Sequence, residues 1–129
     1  YATPRIARRR IEPFDAPLFA EFSAFYLQRF AELCRWLEGR AGGRPVRVYL
    51  PSTVFITDRP KGMTEYAMAK AAAEVLAEAL NRAMAHVKVV HSRLPRLATD
   101  QTASILGLSV ASNVETLLPV VRSVSGRAA

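Results

Sequence analysis

Thr64–Glu65–Tyr66–Ala67–Met68–Ala69–Lys70–Ala71–Ala72–Ala73–Glu74 is the stretch whose reading decides the fold. Ala, Met, Glu and Lys are strong helix formers, and no Pro or Gly interrupts the run. The pattern predicts a helix from about Thr64, a candidate N-cap after the Gly62 breaker, to about Met84. Tyr66 and Lys70 are four positions apart, so they share one helix face. A phenol beside an ammonium is expected to titrate below its usual pKa of about 10, because the cation favours phenolate. Such a phenol can give a proton to a carbonyl oxygen or take one from an alcohol. The bare pair is also what a packed Tyr and a solvated Lys produce, so the flanking sequence has to decide.

Upstream, Val46–Arg47–Val48–Tyr49–Leu50 reads as a strand, with Pro51–Ser52–Thr53 at its carboxyl end and a loop from Val54 to Gly62. Further back, Leu18, Phe19, Phe22, Phe25, Tyr26, Phe30, Leu33, Trp36 and Leu37 recur at helical spacing. Asp15 is a candidate N-cap for that helix, and Gly39, Gly42 and Gly43 are expected to end it. Downstream, Val87–Lys88–Val89–Val90–His91 reads as a second strand, followed by a loop from Arg93. Ser112 or Asn113 is expected to cap a last helix through Val121, with Pro119 kinking or ending it.

The order helix, strand, helix, strand, helix implies a parallel βαβ crossover and an α/β layer fold. Two strands cannot cover three apolar helices, and parallel sheets are buried on both faces. The expectation is therefore a single partial domain over residues 1–129, completed by strands from elsewhere.

Half of the residues are apolar, which excludes a disordered chain. The lone Cys34 excludes an internal disulfide and falls on an apolar helix face, where a buried inert thiol is expected. No apolar run approaches the roughly 20 residues a membrane helix needs. Arg8–Arg9–Arg10 leads into a mixed segment rather than a signal-peptide core, so the chain reads as cytoplasmic. The net charge of +7 fits either a solvated basic face or an acidic partner. Charge is all that supports a nucleic-acid-binding module; no aromatic-and-basic interleaving or zinc spacing accompanies it.

The ordered set resembles the C-terminal, catalytic half of a short-chain dehydrogenase/reductase, over roughly Phe14 to Val121. It consists of a strand ending in Pro51–Ser52–Thr53, then Tyr66–x–x–x–Lys70, then a strand leading into Arg93–Leu94–Pro95. In that family a hydroxyl residue precedes the Tyr by the interval that separates Thr53 from Tyr66, with Ser52 one position further away. The resemblance implies a partial Rossmann-like, doubly wound parallel sheet. It also implies hydride transfer between NAD or NADP and a carbonyl or alcohol. Tyr66 would be the general acid/base and Lys70 would tune it and bind the nicotinamide ribose. Thr53 or Ser52 would bind the substrate oxygen, and Pro95 and Thr99 would lie beside the nicotinamide. It further implies a homo-oligomer through the helices at 15–38 and 64–84.

The sequence departs from the family pattern in three ways. The Gly-rich pyrophosphate loop, which belongs to the N-terminal half, has no counterpart. The helical Asn has none either, and Tyr26 lies near its place. Arg96 follows Pro95 where the family usually has Gly. The isolated chain is therefore expected to be inactive and to need a nucleotide-binding half. A reductase-like module kept for assembly is the alternative.

Overall fold

In the computed structural model, which describes residues 13–95 and 113–126, Asp15 accepts a 2.8 Å hydrogen bond from the Leu18 N–H and so starts α1 (Ala16–Ser23). Pro17 in the first turn costs nothing there, because its missing N–H has no intrahelical partner to lose. A π-helical turn, Ala24–Arg29, leads directly into α2 (Phe30–Arg40). This turn has a packing consequence. Leu18, Phe22, Tyr26, Phe30 and Cys34 are all buried and fall four apart. On a 3.6-residue helix such a series drifts by about 40° per step. A wider turn in the middle takes that drift back and keeps the residues on one seam.

The helix runs past Gly39 to Arg40, and the reversal comes at Gly42 and Gly43, with φ of 57° and 80°. Those positive angles suit glycine, which has no Cβ to clash. β1 (Val46–Thr53) then runs on through the Pro51–Ser52–Thr53 segment that the sequence placed beyond it. A short helix, α3 (Phe55–Asp58), occupies part of the expected loop. α4 (Thr64–Ala83) follows; its N-cap is Met63 without a side-chain cap, and Thr64 is already helical. β2 (Val87–Leu94) extends to Leu94, and α5 (Asn113–Ser125) carries Pro119 inside it. Arg47 of β1 donates to the Ser123 and Val124 carbonyls, placing a cation at the negative end of α5.

The strands pair in parallel, with Val46 opposite Val87 and Thr53 opposite Leu94. Among the described residues the fold is thus α/β, with a two-stranded parallel sheet and α4 as the crossover helix. Ala69, Ala73 and Ala77 of α4 are fully buried. Their small side chains let α4 lie close to its neighbours, beside Phe22, Leu50, Leu80, Val87 and Val89 in one core. Truncating the fully buried Phe22 to Ala is expected to cost about 3–5 kcal/mol. Of the aromatic residues on the first helix, Phe22, Tyr26 and Phe30 are buried, whereas Trp36 stays exposed.

Two side chains tie the sheet to the helices. Glu38 at the end of α2 accepts from the backbone N–H groups of Ala85, His86 and Val87, at 3.0, 3.1 and 2.7 Å. Asn81 of α4 pairs with both backbone groups of Val89, at 2.7 and 2.8 Å, and so satisfies one rung of the β2 edge. No described helix is long and apolar enough to cross a membrane. Cys34 is buried, and burial pushes its thiol up to about 11, which suits an inert packing role.

Candidate active site

Successive turns of α4 reach the last residues of β1. Tyr66, Lys70 and Glu74 are four apart and therefore stack along one face of the helix. Against the larger effect of burial, the Thr53 side chain acts on the Tyr66 phenol and draws its pKa down. The Lys70 Nζ donates to the Pro51 carbonyl at 2.7 Å. Glu74 accepts from the Ser52 hydroxyl. The arrangement sits at the carboxyl end of two parallel strands, where open α/β sheets bind ligands.

The Tyr66 ring is held by edge-on contacts to Phe22, Tyr26 and Phe55, with centroids 5.8, 5.8 and 6.2 Å away. Phe55 belongs to α3, whose backbone N–H donates to Thr53 Oγ1 at 3.2 Å. That bond uses Thr53 Oγ1 as an acceptor and leaves the hydroxyl proton to be donated elsewhere. Burial raises the Tyr66 pKa above 10, and the Thr53 hydrogen bond pulls the other way.

The expected lowering of the phenol pKa by Lys70 is not what this geometry gives. The ammonium lies 4.0 Å from the Tyr26 ring centroid and 5.7 Å from that of Tyr66. It is directed at the Pro51 carbonyl and the Tyr26 ring rather than at the phenol oxygen. Lys70 is 5% exposed, and burial brings its pKa down from 10.5 to about 8. Tyr66 and Lys70 are thus close, but each is shaped mainly by desolvation.

Ser52 and Thr53 separate by partner. Thr53 serves the phenol, while Ser52 is committed to Glu74. Glu74 also takes a bidentate pair from Arg93, at 2.9 and 2.8 Å, and Arg93 reaches Thr57 of α3 at 3.1 Å. This network joins the ends of β1 and β2, α3 and α4. Arg93 holds the Glu74 carboxyl at about 2, below the usual 4.5, with the Ser52 hydrogen bond adding to the effect. Sequence reasoning missed Glu74. The signal was present as the next member of the Tyr66, Lys70 series, but Lys followed by Glu at that spacing reads as a surface ion pair. Pro95 follows β2 at the same end of the sheet and is exposed. Thr99 and Arg96 lie outside the described residues.

The donor set suits the reacting end of a nicotinamide nucleotide: two hydroxyls beside each other and a buried ammonium whose hydrogen bonds shown here use one of three protons. It does not suit the pyrophosphate. The described glycines with positive φ are Gly42, Gly43, Gly62 and Gly126, and none lies in a turn leading from a strand into a helix N-terminus. Among the described residues no cluster of His, Cys, Asp and Glu could hold a metal ion. No protein family, curated protein or solved structure matches this chain.

Proposed function

We propose that this chain is the catalytic half of a carbonyl reductase or alcohol dehydrogenase of the short-chain type, working with NAD or NADP held largely by a nucleotide-binding half. The observation that carries the reading is Tyr66 on α4 facing the carboxyl end of β1, where burial raises its pKa and Thr53 draws it down, with the buried Lys70 ammonium one turn along and bonded to Pro51. The nicotinamide supplies or accepts the hydride when bound; the residues here handle the proton. Tyr66, kept protonated by burial, gives its proton to the carbonyl oxygen as the alcohol forms. Thr53 donates a hydrogen bond to the same oxygen and steadies its developing charge. Lys70 holds the nicotinamide ribose. The apolar rings of Phe22, Tyr26 and Phe55 fix the phenol in place.

The test is Tyr66→Phe in the protein joined to its nucleotide-binding half. Phe keeps the ring contacts, so the fold and cofactor binding should survive. Turnover should fall by about 10²–10⁴-fold, the usual worth of a positioned acid/base. Undiminished turnover in the Phe variant removes the proton-transfer role.

A second reading, a reductase-like module kept for assembly, is favoured by the same enclosure. Tyr66 and Lys70 are both core positions, and Lys70 is already engaged by Pro51. On that reading Tyr66→Ala loosens the fold, whereas Tyr66→Phe changes nothing measurable.

A further inference from the structure

The π-turn at Ala24–Arg29 carries Tyr26, whose ring face meets the Lys70 ammonium at 4.0 Å. Such turns are rare and recur where a helix must re-aim a side chain at a functional site. Tyr26 is 5% exposed and Lys70 equally so, so the contact is dry. A desolvated ammonium over an aromatic face is held by the negative charge of the ring face, and the attraction grows as water is removed. Burial draws the Lys70 pKa down, and among the described residues no carboxylate pairs with it. The nearest acidic residue on its helix face, Glu74, is occupied by Arg93 and Ser52. Among the described residues its near partners are the Pro51 carbonyl and the Tyr26 ring, with the Tyr66 ring further off at 5.7 Å.

We infer that Tyr26 is the positioning residue for Lys70: its ring face, presented by the π-turn, and the Pro51 carbonyl together hold a buried cation at the end of β1, with no carboxylate partner among the described residues. The role matters for catalysis only if the reductase reading holds, but the contact itself does not depend on it. A carboxylate there would neutralise the ammonium by a tight ion pair. A ring and a carbonyl leave it charged and able to donate to a further oxygen. The Tyr26 hydroxyl is not what the role needs; the ring is.

The experiment is nuclear magnetic resonance on the full chain, following the ε-methylene signals of its lysines, Lys61, Lys70 and Lys88. Lys70 should appear upfield of the other two, shielded by the ring it faces. Tyr26→Phe should keep that shift and the Lys70 titration midpoint. Tyr26→Leu should lose the shift and lower the midpoint by about one pH unit, because an apolar replacement desolvates without attracting the charge. A Lys70 signal in the wild-type chain that coincides with Lys61 and Lys88 overturns the inference, and this holds even if Tyr26→Leu does not fold. A folded Leu variant with the wild-type midpoint also overturns it. Neither readout requires turnover, so failure of the reductase reading and failure of this one are separable.

Discussion

Ser52 gives its hydroxyl to Glu74, while its neighbour Thr53 accepts from the Phe55 N–H and acts on the Tyr66 phenol. Adjacent hydroxyls at one strand end therefore have different work. On the reductase reading Thr53→Val, nearly isosteric, should lower turnover by about 10²-fold once the nucleotide-binding half is joined, the usual loss of one donor at a developing oxyanion. Ser52→Ala should keep most of the turnover but cost about 1 kcal/mol of stability, because a half-buried carboxylate loses one donor and retains Arg93. Steady-state kinetics and urea titration of the two variants separate the roles. The opposite assignment, with Ser52→Ala the slow variant, would show that the strand end rearranges on binding.

Glu74 makes the network sensitive to acid. Its folded-state pKa of about 2 lies below the usual 4.5, first because of Arg93. A depressed carboxylate contributes stability that is complete above the unfolded value and is lost as pH falls through the window from 4.5 to about 2. Urea midpoints should therefore drop across that window more steeply than in Glu74→Gln. Parallel curves for the two proteins would show that the Arg93 pair adds nothing.

Lys70 has the opposite character. Its folded pKa of about 8 lies below the ordinary 10.5, so between these values the unfolded chain binds more protons than the folded one. Stability should then rise with pH from about 8, as the cost of burying the charge is relieved. Tyr66, with its raised pKa, acts the other way only above its usual 10. Lys70→Met should flatten the alkaline rise and should be at least as stable as the wild type at neutral pH. Denaturant midpoints from neutral pH to pH 10 supply the check.

Much of this site could be read before any coordinates. The Asp15 cap, the α4 helix, the parallel strands and the order of Thr53, Tyr66 and Lys70 follow from local signals: capping chemistry, period and spacing. What could not be read was set by tertiary partners. Strand ends lengthened because Pro51, Ser52 and Thr53 find β2 opposite them, a pairing that no propensity encodes. The π-turn leaves no compositional trace in Ala24–Arg29. The direction of the Lys70 ammonium depended on a ring from another helix, so the simple rule that a neighbouring cation lowers a phenol's pKa failed. Glu74 was hidden for the same reason, because its partner Arg93 comes from β2.

The remaining prediction concerns a second copy. α4 leaves Val75 exposed at 67%, and the half-buried Leu76 lines an open groove of about 430 Å³ with Leu27, Gln28, Ala31, Glu32 and Arg35. This groove joins the surfaces of α4 and the α1–α2 helix, the two helices from which the sequence suggested an isologous contact. Phe22, Tyr26 and Phe30 are spent inside the chain, so the contact must rest on the outer residues Phe25, Leu76 and Val75. A symmetric interface sets the same patch of both copies face to face, so a single substitution enters the contact twice. Val75→Glu is the sharper probe, since an exposed position tolerates a carboxylate without unfolding. It should weaken a dimer tenfold or more, equivalent to about 1.4 kcal/mol. Leu76→Glu should do the same, at some cost to stability. Light scattering on the full-length protein at micromolar concentration gives the answer: a dimer dissociated by either variant supports the interface, and a wild-type monomer removes it.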